Sequence, residues 1–254
     1  MAFQNTRKLP IVSLLVVGFV LSSNAWALSK EVSKTLPFSA DGRVSLENIN
    51  GSVTIEGWDQ DEISLHALVE ARSQKGLDRT EVLIDATETR LHVETEYKKS
   101  GWGDHDGGEV TYTLKVPRQV RLDEIELVNG SLELRGVSGP VRASLVNGRA
   151  RAENLAGDVE ISTVNGGMDI SFDELGRSQR VSLESVNGSL EMKLPNYADA
   201  EIDASTVHGR IQNDLGLDVE KGRWVGSNLR GTLGNGSAQV SLENVNGSID
   251  ILGK

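Results

Sequence analysis

Short segments with the same alternation of apolar and polar residues recur along most of the chain. Each is centred on a turn such as VNGS, and aligning them on the residue before the glycine gives seven copies. Positions −6, −4, −1, +3 and +5 from that residue are apolar in 33 of 35 cases, with Asp123 and Asn213 as the exceptions. Positions −5 and −3 are always polar. This period of two predicts short β-strands with one buried face.

The turns share an Asn-Gly pair, in which His replaces Asn once. Their residues are Asn50, Gly51, Asn129, Gly130, Asn147, Gly148, Asn165, Gly166, Asn187, Gly188, His208, Gly209, Asn246 and Gly247. Asn-Gly is typical of a two-residue hairpin turn, but a hairpin would place Val or Ile at −1 opposite Ser, Arg or Gly at +2. The mismatch favours a corner, where the chain bends and continues with the −1 side chain pointing inward. We expect Asn to adopt a left-handed conformation there and Gly to relieve the remaining strain.

The spacing of the turns indicates stacked repeats. Successive turn residues from Asn129 to His208 lie 18, 18, 22 and 21 residues apart, and His208 and Asn246 lie 38 apart. Such periods are typical of solenoids, in which each unit buries its apolar face against its neighbours. The −5 column of Glu124, Arg142 and Glu160 alternates in charge, as parallel stacking would favour. The predicted fold is therefore all-β, a parallel β-solenoid or β-helix-like stack of 18–22-residue coils.

The chain divides into three predicted parts. Residues 1–27 resemble a signal peptide, since basic Arg7 and Lys8 precede an apolar stretch and Ala25-Trp26-Ala27 offers a cleavage site. The apolar stretch is about half the length of an ordinary membrane-spanning helix, although an uncleaved anchor is the alternative. Residues 28–120 form a β-rich N-terminal portion that includes a first repeat at 41–56, and residues 121–254 form the solenoid.

Two segments interrupt the repeat. In residues 57–120, EISLHALVEA, VLIDAT, RLHVETEY and EVTYTLKVP predict longer antiparallel strands that cap one end of the stack, with QKGLDR and KKSGWGDHDGG as loops. In residues 214–237, LGNGSA predicts a hairpin that pairs the strand around Leu229 with the strand around Val240. This insertion covers the other end of the stack, or that end supports self-association, because an open strand edge invites pairing.

Composition restricts the partners. The full chain has a formal charge of −11, and removal of Arg7 and Lys8 leaves 24 basic and 37 acidic residues, or −13. This charge argues against binding to nucleic acid and to anionic lipid, and we expect no membrane insertion after cleavage. The chain contains no cysteine, so packing and backbone pairing must stabilise it without disulfides.

The sequence offers little chemistry, and we predict no catalytic residues and no cofactor. The four histidines are scattered without metal-ligand spacing, and no nucleophile elbow, phosphate-binding loop or dinucleotide motif is present. Asp104, Asp106 and Glu109 are weak candidates for a divalent cation site, and an exposed polar loop is the alternative. The glycosylation pattern N-x-S occurs at Asn50, Asn129, Asn187, Asn235 and Asn246, and we attribute it to the Gly and Ser that the turns need. We interpret the Asn residues at the stacked corners as a side-chain amide ladder.

The recurrent xVxLxxVNGSLxL unit, the segment GWDQDEI and the terminal GNGSAQVSLENVNGSIDI carry a family resemblance over residues 41–254. They resemble the bacterial putative-adhesin family of β-strand repeats, domain-of-unknown-function family 4097. The resemblance implies an exported or envelope-associated protein and supplies no catalytic residues. Some members of the family are linked to envelope-stress systems.

These features predict an exported, non-catalytic binding or structural protein of the bacterial cell envelope. We expect it to be adhesin-like and to present a polar solenoid surface to an envelope protein or glycan. A regulatory or scaffold role in envelope stress is the alternative, and a carbohydrate-active β-helix enzyme is a further one. The expected location is the periplasm, with secretion or surface display as alternatives.

Overall fold

The computed structural model describes residues 28–98, 107–222 and 226–254. In these residues the chain is all-β with one short helix, which confirms the predicted class. The elements in chain order are β1 (Leu28–Pro37), β2 (Arg43–Asn50), β3 (Val53–Trp58), β4 (Glu62–Ala71), α1 (Gln74–Arg79), β5 (Thr80–Ala86), β6 (Arg90–Tyr97), β7 (Glu109–Pro117), β8 (Arg121–Asn129), β9 (Leu132–Arg135), β10 (Val141–Asn147), β11 (Ala150–Glu153), β12 (Val159–Asn165), β13 (Met168–Ser171), β14 (Arg180–Asn187), β15 (Leu190–Leu194), β16 (Ala200–His208), β17 (Ile211–Asn213), β18 (Val219–Lys221), β19 (Ser227–Leu233), β20 (Ala238–Asn246) and β21 (Ile249–Gly253).

The strands form two mixed sheets that enclose one apolar core. The ten-stranded sheet has the order β1-β4-β7-β3-β9-β11-β13-β15-β21-β17, and the eleven-stranded sheet has the order β18-β19-β16-β20-β14-β12-β10-β8-β2-β6-β5. Each repeat contributes its first strand to the eleven-stranded sheet and its second strand to the ten-stranded sheet. The turn between the two strands is therefore a corner and not a hairpin. The apolar residues at −6, −4, +3 and +5 point inward, as Val181, Leu183, Leu190 and Met192 illustrate.

Neighbouring repeats run in parallel, with their turn residues aligned. Asn147 of β10 lies opposite Asn129 of β8 and Asn165 of β12, and the same register continues through the stack. The complete spatial order of the turn residues is Asn50, Asn129, Asn147, Asn165, Asn187, Asn246 and His208.

The spatial order of the repeats differs from their order along the chain. The last repeat, β20 and β21, is inserted between the repeat of Asn187 and the repeat of His208. The predicted hairpin at LGNGSA is wrong for the same reason. Strand β19 pairs antiparallel with one edge of β16, and β20 pairs in parallel with the other edge, so β16 separates the two strands.

The strands that precede β8 and lie outside the first repeat form the opposite end of both sheets. β1, β4 and β7 extend the ten-stranded sheet beyond β3, and β6 and β5 extend the eleven-stranded sheet beyond β2. The pairs β4–β7 and β5–β6 are antiparallel as predicted, but β7 and β6 pair in parallel with the first repeat. The segment QKGLDR is helix α1 rather than a loop. Ser73 caps this helix by accepting a 3.0 Å hydrogen bond from the Gly76 amide.

The two exceptions to the repeat pattern have local explanations. Asp123 lies where the register shifts between β8 and both of its neighbours, so the preceding Leu122 occupies the inner position and is 1% exposed. Asn213 ends β17, and its side chain bonds both the amide and the carbonyl of Leu217. It therefore starts the insertion that leads to β19.

The expected direction of the −1 side chain is wrong. All seven −1 residues are exposed, including Val146 at 41% and Val164 at 42%. The −2 residues are buried instead, although most of them are polar, as Thr163 and Ser185 show. Inward and outward side chains thus alternate without interruption up to the corner. At the last two positions, however, the inward −2 residue is mostly polar and the outward −1 residue is apolar.

Candidate functional site

The corner glycines permit close approach of stacked backbones. A Cβ atom at Gly148 would collide with the carbonyl oxygen of Gly130, and one at Gly166 would collide with that of Gly148. Only Gly51, Gly188 and Gly247 among the seven have positive φ. The expected left-handed conformation of the turn Asn is wrong, since Asn154 and Ser178 are the non-glycine residues with positive φ in the described part of the chain. Contact between coils, more than φ, requires glycine.

The turn asparagines form the amide ladder that the repeat predicts. The Nδ2 atom of Asn165 donates to Oδ1 of Asn147 over 3.0 Å, and Asn147 donates to Asn129 over 2.9 Å. Equivalent bonds join Asn246 to Asn187, Asn187 to Asn165 and Asn129 to Asn50. All of the bonds point the same way along the stack. The asparagines are therefore structural, and their amides hold successive corners in register.

Four of the seven buried −2 side chains donate to carbonyls at the corners: Asn48, Ser185, Thr206 and Asn244. Leu127 and Leu145 are apolar, and Thr163 Oγ1 has no hydrogen-bond partner among the described residues. Asn48 donates to the carbonyl oxygens of Gly51 and Val110 at 3.0 and 2.9 Å. At the other end, Asn244 donates to the carbonyl of Gly188 at 2.7 Å, and Thr206 donates to that of Gly247 at 3.1 Å. Unpaired buried carbonyls are costly, so polar residues are favoured here. Sequence reasoning missed this role, although counting by two from −6 and −4 would have placed −2 inside.

The exposed −1 side chains form a continuous apolar row, which we call the outer ridge. Its members in spatial order are Ile49, Val128, Val146, Val164, Val186, Val245 and Val207. Their exposed fractions range from 38% to 47%. The outer ridge runs beside the amide ladder along the whole stack.

The eleven-stranded sheet carries a groove on its outer face, near the beginning of its parallel strands. This charged groove has a volume of about 650 Å³. Its charged lining residues are Arg121, Asp123, Arg142, Asp158, Glu160, Arg180, Glu201 and Asp203. Five carboxylates thus accompany three guanidinium groups, so the groove favours a neutral or cationic polar partner over a polyanion.

The guanidinium groups of the charged groove are held by neighbouring carboxylates. Arg142 Nε lies 3.0 Å from Glu160 Oε2 on the next coil, which realises part of the predicted charge ladder. Arg121 pairs with Asp123 at 3.4 Å, and Arg180 reaches back one coil to Asp158 at 3.5 Å. These pairs are exposed and contribute little to stability. Their fixed rows of donors and acceptors are suited to binding hydroxyl and amide groups.

The candidate cation site is only partly described. Glu109 is exposed at the start of β7, whereas Asp104 and Asp106 lie outside the described residues. Within the described ranges, no group of three His, Asp or Glu side chains has a metal-binding arrangement.

Two hydrogen-bonded groups outside the groove have shifted pKa values. Burial raises the pKa of Tyr112 to about 12, and its hydroxyl lies 2.7 Å from Thr95 Oγ1. The Asp199 carboxylate accepts from the backbone amides of Asn235 and Ser237, and hydrogen bonding led by the Ser237 side chain lowers its pKa to about 2. Both groups make hydrogen bonds that stabilise the fold, and neither lies in the charged groove.

Residues 39–252 match the family model described as Toastrack DUF4097, and the chain belongs to this family. A solved structure described as a "putative cell adhesion protein" from Clostridium sporogenes has 17% identity and a TM-score of 0.55, with 89% of this chain and 100% of that chain covered. A "putative adhesin" from Parabacteroides merdae has 9% identity and a TM-score of 0.39, covering 90% and 97%. None of the curated proteins compared with the chain matches it. The first structure shows that the fold is shared.

No helix within the described residues has the length and apolar character needed to cross a membrane.

Proposed function

We propose that this protein is an exported, non-catalytic, adhesin-like binding protein of the bacterial cell envelope, built on a β-solenoid. The observation that supports this proposal is the charged groove on the eleven-stranded sheet. Its side chains are spread along successive coils as alternating donors and acceptors. This arrangement is suited to binding an extended polar chain that crosses several coils.

The preferred ligand in this proposal is a neutral glycan of the envelope, with a basic protein segment as the other ligand class. Glycan hydroxyl groups accept from guanidinium groups and donate to carboxylates, and the groove offers both kinds of partner. The excess of carboxylates in the lining disfavours anionic polymers. The N-terminal sequence pattern supports export, and fractionation of cells into cytoplasm, periplasm, membrane and medium tests it.

Binding is tested with the exported protein, purified envelope polysaccharides and an envelope protein extract. Arg142→Glu reverses a charge inside the groove. Arg151→Glu is the matched control, because Arg151 lies in the same coil on the other sheet and is also exposed and paired with a carboxylate. We expect Arg142→Glu to weaken capture of the ligand at least tenfold and Arg151→Glu to leave it unchanged. Equal effects of both variants would contradict a groove site.

The non-catalytic part of the proposal has its own readout. Incubation of the protein with the same polysaccharides should release no soluble fragments. Fragment release that persists through purification would contradict it.

A further inference from the structure

The outer ridge is an apolar surface with regular spacing. Its seven side chains occupy equivalent positions on adjacent parallel strands, so they repeat at the strand spacing of about 4.8 Å. With exposed fractions of 38–47%, they present on the order of 400 Å² of apolar surface, within the range of the largest apolar patch on a typical monomer, which is often functional. The ridge is continuous, whereas other outward positions on the repeat strands are mostly polar.

Opposite charges flank the ridge on its two sides. The −3 row carries Glu126, Glu184 and Glu243, and the +2 row carries Arg149 and Arg210. All five side chains are exposed, and within the described ranges none of them forms an ion pair. The arginines of the charged groove, in contrast, are paired.

The spacing of the ridge selects its partner. Side chains on one face of an extended peptide repeat at about 6.7 Å, so such a peptide loses register with the ridge after a step or two. A second copy of the ridge has the same spacing at every step. Rotation by 180° about an axis parallel to the stack also places the glutamate row of one copy against the arginine row of the other. An axis across the stack would instead oppose the two glutamate rows.

We propose that the outer ridge is a self-association surface, on which two copies of the protein pair ridge to ridge with their stacks pointing in the same direction. The interface is isologous, with Val164 near Val164 of the second copy at its centre. Arg149 of one copy faces Glu126 of the other, one coil away. The ridge alone is smaller than a standard stable interface, and both copies are acidic, so the dimer is weak and concentration-dependent. This surface lies along the side of the stack and differs from the solenoid end considered from the sequence.

Sedimentation velocity of the exported protein over a wide concentration range tests the proposal. Val164→Lys places two ammonium groups against each other and should raise the dissociation constant at least tenfold. Tyr197→Lys is the control, since Tyr197 is 75% exposed and follows the end of β15 that points away from the corner, and this variant should dimerise normally. Thermal unfolding of both variants checks that they remain folded.

Charge reversal tests the orientation. Arg149→Glu should weaken the dimer, and the double variant Glu126→Arg with Arg149→Glu should restore it. A monomer at every concentration would overturn the proposal, and so would a dimer that Val164→Lys does not weaken or that the double variant fails to restore. A monomeric protein that loses envelope binding on Val164→Lys would overturn it as well and would assign the ridge to another partner. The groove variant Arg142→Glu should dimerise normally, so failure of the groove proposal leaves this test intact.

Discussion

At the scale of single residues, the corner assigns a different physical task to each position. The −2 residue faces the core and in four of seven repeats donates to a backbone carbonyl, and the −1 residue faces outward. The Asn extends the amide ladder, and the Gly allows coils to approach. Adjacent positions therefore obey different constraints. A hydrophobicity scale fails at two of these positions. It places the apolar −1 residue inside and the mostly polar −2 residue outside, whereas the structure shows the reverse.

Loss of one ladder amide should cost a measurable amount of stability. Asn165→Ala removes the bonds to Asn147 and from Asn187 at an exposed site, so we expect the free energy of unfolding to fall by about 1 kcal/mol. Asn235→Ala is the control, because Asn235 is also an exposed residue that precedes a glycine but lies outside the ladder. Its change should stay within about 0.5 kcal/mol in urea denaturation. Equal losses would show that the ladder contributes nothing specific.

The turn at Asp199 should respond to acid. The pKa of its carboxyl is lowered from 3.8 to about 2, so the stabilisation it provides is present above the ordinary value and is lost as pH falls toward 2. We expect the amide resonances of Asn235 and Ser237 to shift with a midpoint near pH 2. Asp199→Asn should abolish that titration. A midpoint near 4 would contradict the hydrogen-bonded geometry.

Much of the corner is predictable from the sequence, including the inward −2 residue if the period of two is continued from −6 and −4. The recurrence of the turns every 18–22 residues predicts in-register parallel strands and stacked asparagines, because stacked repeats place equivalent residues together. The outward direction of Val146 and Val164 is mispredicted because their apolar character favours the core, whereas the strand period places them outside. The charged groove arises from outward residues on several coils, and no local motif marks it.

At the scale of elements, the last repeat is an internal part of the stack. β20 lies between β14 and β16, and β21 lies between β15 and β17. His208 and Asn246 lie 38 residues apart, about twice the usual spacing of the turns, which indicates an insertion between them. The spacing does not indicate that the chain returns to a position inside the stack. Strand β19 pairs with the outer edge of β16 and occupies it. Strand β20 therefore pairs with the other edge of β16, which faces the rest of the stack.

Removal of the last repeat should therefore disrupt the repeat that precedes it in sequence. In a chain that ends at Leu233, β16 can meet β14 only by placing Ala204 against Leu183, where Leu242 now lies. The smaller side chain leaves a cavity, so we expect β16 to exchange its amide protons rapidly while β8, β10 and β12 remain protected. Hydrogen exchange measured by mass spectrometry provides the comparison with the full chain. Persistent protection of residues 200–208 would contradict this prediction, because it would show that β16 can pair directly with β14 when β20 is absent.

At the scale of the whole molecule, stability depends on nearest-neighbour contacts along a single core. Each coil packs on the coil before and after it, while the exposed ion pairs add little. A central coil therefore couples two halves of the stack. A terminal coil can open alone.

The same substitution at two heights in the stack should separate these cases. Ile161 on β12 and Ile211 on β17 are both buried, but Ile161 is central and Ile211 is terminal. We expect Ile161→Ala to lower the global free energy of unfolding by about 3 kcal/mol, because it leaves a cavity between two neighbouring coils. Ile211→Ala should mainly increase local exchange in β17, with a smaller shift of the main transition in urea denaturation followed by circular dichroism. Equal global losses would mean that the terminal coil unfolds only together with the rest, and nearest-neighbour coupling would then be too strong for the end to fray.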